Sequence, residues 1–95
     1  MARGQVKLIQ TINDERVTVT RFEFQPGDET GWHVHGFDYV ITAITPCNLL
    51  IEHPDGSTTT TQINPGDVYR RNCGVEHNVI NGGGEPMIFV EVELK

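Results

Sequence analysis

The sequence predicts an all-β protein folded as a sandwich or a small barrel. Short segments rich in β-branched and aromatic residues recur at intervals of about 8 to 12 residues. Turn-forming clusters of Gly, Pro, Asn and Asp separate them, and no window shows the three-and-four apolar recurrence of a helix.

The segments follow in order. Val6–Ile12 and Glu15–Phe24 are strands joined by Asn13-Asp14 as a two-residue turn. Pro26-Gly27-Asp28 breaks the run, and Trp32–His35 and Phe37–Thr45 are strands divided at Gly36 and stopped by Pro46. Cys47–His53 and Ser57–Ile63 form a hairpin around Pro54-Asp55-Gly56. After Asn64-Pro65-Gly66-Asp67 come strands Val68–Arg71 and Glu76–Asn81, parted by Asn72-Cys73-Gly74. A triple-glycine loop, Gly82-Gly83-Gly84, leads to the last strand, Pro86–Leu94. There Ile88, Val90, Val92 and Leu94 share one face, expected to be buried, with Glu91 and Glu93 on a wet one.

The 95 residues suffice for a single domain, 1–95, with one core. At this length the core is small, which favours association with further copies of the chain, most simply as a homodimer. Either Val6–Ile12 or Pro86–Leu94 is expected to cover an exposed edge across the two-fold axis. A net charge of −6 without a basic run argues against nucleic acid as a partner. No apolar stretch approaches a membrane span of roughly 18 residues, and Met1-Ala2-Arg3-Gly4 lacks the apolar core of a secretory signal, so the expected location is cytoplasmic. Cys47 and Cys73 form no CxxC pair and are expected as small buried thiols.

The chemistry concentrates in the histidines. His33 and His35 stand two apart on an expected strand, so both imidazoles project to one face and can approach one point, as a metal requires of two ligands. His77 lies on another strand, facing with Val79 and Asn81, and alternation alone does not bring it to the first pair.

Gly27, followed five residues later by His33-Val34-His35, resembles the opening of the first motif of the cupin family. Gly66, then Asn72-Cys73-Gly74, His77 and Asn81, is similar in spacing to the second, with Asn72 where the family usually has proline. The likeness spans nearly the whole chain and extends to small bacterial single-domain cupins, some named for β-alanine degradation. It implies a jelly-roll β-barrel of antiparallel strands with His33, His35 and His77 as metal ligands facing its interior.

Cupins commonly supply a glutamate four residues after the second histidine, and here that position is Tyr39. Asp38 is one residue early and by parity points to the opposite face. The expected centre is therefore three histidines around one divalent transition metal (Fe, Ni, Zn or Mn), with Tyr39 close by as a weak ligand or as a catalytic acid or base. Three neutral imidazoles leave the dication's charge uncompensated and coordination positions open, which suits a small anionic partner.

Either Arg70 or Arg71 should point inward, where it would clamp a carboxylate or else serve in an ordinary surface ion pair. Tyr69 and Phe37 are cavity wall or core according to their direction. Trp32 is expected as packing, Cys73 as core filler, His53 as a surface residue, and Glu76 on the face opposite His77. The functional expectation is a metal-dependent enzyme, an oxygenase, isomerase or lyase acting on a small carboxylate or carbonyl compound. The alternative is a non-catalytic module that binds or senses a small anion through its metal.

Overall fold

A computed structural model describes residues 3–95 of the chain. The turn clusters divide it into nine strands: β1 (Lys7–Asn13), β2 (Val17–Phe24), β3 (His33–Val34), β4 (Asp38–Ala43), β5 (Cys47–Glu52), β6 (Thr58–Ile63), β7 (Val68–Arg71), β8 (Glu76–Asn81) and β9 (Met87–Leu94). No helix occurs among the described residues. All strand pairs are antiparallel, in a five-stranded sheet of order β1-β2-β9-β4-β7 and a four-stranded sheet of order β3-β8-β5-β6. The two close on each other as the expected jelly-roll barrel.

Strand boundaries match the sequence reading to within a residue or two. The first hairpin differs: three residues, Asp14–Arg16, separate β1 from β2. The Asp14 carboxylate accepts from the amides of Arg16 and Val17 at 2.8 and 2.9 Å, which shapes the turn. Between β5 and β6, Gly56 takes a φ of 86°, which a side chain would resist.

The interior is filled chiefly by alternate residues of β4, β5 and β9 and by β8. Tyr39, Ile41 and Ala43 of β4 and Leu49 and Ile51 of β5 are buried, and Phe22, Phe24 and Phe89 stack between β2 and β9 with centroids 4.9 to 6.3 Å apart.

The last strand corrects the sequence reading. Met87, Phe89 and Glu91 point inward, while Ile88, Val90 and Val92 are half-buried on the outer face and Leu94 is exposed. Both faces of β9 carry apolar residues, so alternation left the choice to the neighbours. Pairing with Phe22 and Phe24 of β2 takes the bulkier set inward. β9 also lies between β2 and β4 and has no free edge, so it cannot pair across a two-fold axis. β1 keeps a free edge.

Candidate metal centre

The register of β3 and β8 places His33 directly opposite His77. This pairing supplies what the sequence alone did not. His35 follows β3 and is held by two backbone bonds to the second-motif turn, donating from its amide to Val75 O at 2.9 Å and accepting from Gly74 N at 2.7 Å. Gly74 can make that turn because its φ is 91°.

Three imidazoles therefore meet at one point inside the barrel. His35 Nε2 lies 3.0 Å from His33 Nε2 and 3.1 Å from His77 Nε2. His33 Nδ1 donates to the backbone carbonyl of Gly31 at 2.9 Å, which assigns its Nε2 as a bare lone pair. On the far side of His35, Nδ1 faces the Glu91 carboxylate at 3.5 Å.

Nitrogens gathered at this distance are compatible with a cation between them. Two nitrogens each about 2.1 Å from a metal and at right angles about it lie about 3.0 Å apart. The donor set thus fits a divalent metal of the kind imidazole binds, and the ligands named by the resemblance are together.

The surroundings refine the set. Tyr39 is 2% exposed, and its ring lies flat on His35 with centroids 3.8 Å apart. Its hydroxyl is buried and has no hydrogen-bond partner among the described residues. Burial, with Tyr69 and Glu91 adding, pushes the phenol above its ordinary pKa, so it holds its proton. Asp38 turns away, as parity predicts, and its carboxylate accepts from Cys73 N at 2.8 Å.

Arg71 faces Tyr39 across β4 and β7 and lines the cavity, with its guanidinium carbon 5.5 Å from the Tyr69 ring centroid; Arg70 points outward opposite Val40. The cavity over the histidines measures about 720 Å³, with apolar walls that include Ile41, Leu49 and Phe89.

Five expectations of the sequence need correction. Glu91, expected on the wet face, is 5% exposed and lies beside His35. His53 is half-buried and lines the cavity, its Nε2 2.7 Å from Thr59 Oγ1. Trp32, expected as packing, is 54% exposed, and Cys73 is exposed on its turn, whereas Cys47 is buried as expected. Phe37 is exposed, being neither core nor wall.

The titrations set a pH dependence. Burial lowers His35 to about 4, with His33 adding, and lowers His77 to about 3, with the neighbouring histidines and Arg71 adding. Burial raises Glu91 to about 7, with Glu93 adding. In the unfolded chain these histidines protonate near 6.5 and the carboxyl near 4.5. Between those values the unfolded chain binds two protons here and the folded chain one, so acidification favours unfolding. The two proton counts meet near pH 7, where the unfolded histidines have largely lost their protons and folded Glu91 gives up its own, so stability stops rising there. The stability of metal-free protein in urea melts should therefore climb by about one proton's worth per pH unit near pH 5.5 and level off near pH 7, and a two-proton slope near pH 5.5 would contradict the Glu91 environment.

Residues 20–93 match the family model described as "Cupin domain". The chain is 46% identical over 90 residues to the "Beta-alanine degradation protein BauB" of Pseudomonas aeruginosa, covering 95% of this chain and 93% of that one. A crystal structure of a cupin domain from Bordetella pertussis superposes with a TM-score of 0.94 at 46% identity, covering 100% of this chain and 98% of the other. A conserved protein with a double-stranded β-helix domain from Klebsiella pneumoniae follows at a TM-score of 0.78 and 25% identity, covering 99% and 80%.

Proposed function

The chain belongs to the cupin family, and from that premise we propose that it is a metal-dependent enzyme acting on a small carboxylate or carbonyl compound. The observation that carries this reading is the meeting of three imidazole Nε2 atoms beneath an open cavity. The identity to a protein named for β-alanine degradation supports a small carboxylate as the substrate class.

His33, His35 and His77 would hold the ion. A divalent metal bound there supplies Lewis acidity, polarising a substrate oxygen without a proton transfer. The chain's own groups do the rest. Tyr39 keeps its proton and donates to an oxygen gaining negative charge, so it serves as a donor or general acid and not as a base. Arg71 offers a guanidinium to a carboxylate in the cavity. The apolar walls exclude water and strengthen each of these interactions.

Metal-loaded protein should transform at least one member of a panel of short carboxylic acids and their carbonyl derivatives. Tyr39→Phe should cut that turnover about 100-fold at unchanged metal content. If no member is transformed while one raises the melting temperature of the metal-loaded protein alone, the site binds anions without catalysis.

The proposal includes a cytoplasmic homodimer. The free edge of β1 and the apolar outer face around Val90 and Val92 offer a surface for a second copy. Light scattering should give twice the 10.6 kDa chain mass; a value of one chain mass at micromolar concentration would exclude the dimer. No helix among the described residues is long and apolar enough to cross a membrane.

A further inference from the structure

We propose that Glu91 is the positioning residue of the metal centre: its carboxylate anchors the Nδ1 edge of His35 and supplies, from behind the ring, the negative charge that a direct carboxylate ligand would bring. This rests on the three-histidine reading above and deepens it.

His33 and His35 are oriented by different means. The Nδ1 of His33 is secured by a backbone carbonyl, that of Gly31. No backbone group takes the Nδ1 of His35 among the described residues. Its ring face is covered by Tyr39, which blocks rotation about Cβ–Cγ but leaves open which ring nitrogen carries the proton. The group that meets the open edge is Glu91 Oε1, at 3.5 Å.

That distance is an ion-pair contact at the outer limit of a hydrogen bond. A carboxylate there favours the tautomer with its proton on Nδ1, which leaves the Nε2 lone pair pointing at His33 and His77.

Glu91 has little other reason to be inside. It sits on β9 opposite Thr20 and Ile41, and no other hydrogen-bond donor or cation among the described residues reaches it. Keeping a carboxylate in such a place is costly unless a charge nearby rewards it.

Such a charge is what the ligand set lacks an answer to. Three imidazoles are neutral, and the side chain after them on β4 that faces inward is Tyr39, a phenol that keeps its proton. Glu91 lies on the same inner face, two residues diagonal from Tyr39 across the β4–β9 register, since Tyr39 pairs with Glu93 and Ile41 with Glu91. The carboxylate has moved from the ion's coordination sphere to the ring that holds it.

The test uses Co²⁺, whose visible absorption reports its ligands, with wild type, Glu91→Gln and Glu91→Leu. Co²⁺ affinity should fall about 10- to 100-fold in Glu91→Leu, with Glu91→Gln between. The metal-free variants should melt no lower than wild type, because an apolar or amide group replaces a buried carboxyl. A purely structural role would lower both quantities together. In metal-free wild type at pH 8, where Glu91 is ionised, ¹⁵N NMR should show the His35 proton on Nδ1, and in Glu91→Leu a mixture of tautomers. Wild-type Co²⁺ affinity in both variants, or a loss that merely tracks the melting temperature, would overturn the proposal. Failure of the wild type itself to bind Co²⁺ would remove the three-histidine reading along with it.

Discussion

Purified without a metal-affinity tag, wild-type protein should carry close to one divalent metal per chain, and His77→Ala less than a tenth of that. As a ligand, His77 would join the two halves of the site, because it comes from β8 while His33 and His35 come from β3 and the residue after it. Removing it leaves two donors on one short segment, with alanine at a buried position 8% exposed in the parent. Loss of an outer partner typically costs 10- to 100-fold in metal affinity, so loss of a ligand should cost at least about 100-fold. Elemental analysis reads the result directly. The substitution also removes a buried imidazole that folding holds neutral, so the metal-free variant should melt close to wild type below pH 6.5. Full metal occupancy in His77→Ala would mean that the ion is held elsewhere.

Phe24→Ala should have the largest effect on stability. Phe24 is 1% exposed, and its ring stands 5.4 Å from Phe89 and 6.3 Å from Phe22, at the heart of the β2–β9 contact. A phenylalanine truncated inside a well-packed core costs about 3–5 kcal/mol. For a domain of this size the whole stability is about 5–15 kcal/mol, and such a loss lowers the melting temperature by about 12 °C or more. Phe37→Ala, at a position 41% exposed, should stay within about 0.5 kcal/mol of wild type. Urea titration of the two variants separates these outcomes. Equal, small losses would place the core elsewhere.

What was legible in the sequence divides along physical lines. Strand boundaries were legible because Gly, Pro, Asn and Asp clusters end strands through backbone chemistry that is local. His33 and His35 were legible as a pair because a strand's period of two is local as well. That His77 joins them depends on register between β3 and β8, a non-local fact that resemblance to a family conveyed and alternation did not.

Glu91 was misread for a related reason. On β9 the aliphatic run Ile88, Val90, Val92 and Leu94 outnumbers Met87 and Phe89, and a period-two pattern gives the faces without saying which is inside. The bulk of Met87 and Phe89 was the available signal, since they complete an aromatic cluster with β2. Arg71 poses the same problem, settled by its position opposite Tyr39. Trp32 and Cys73 lie outside the regular strands, where hydrophobicity alone says little about burial.

The central claim is a divalent metal held by His33, His35 and His77. A crystal of metal-loaded protein, measured at the absorption edge of the ion, tests it most directly. A single anomalous peak is expected about 2.1 Å from the Nε2 atoms of all three histidines. A peak elsewhere, or no peak between those nitrogens in crystals grown with excess metal, would contradict it.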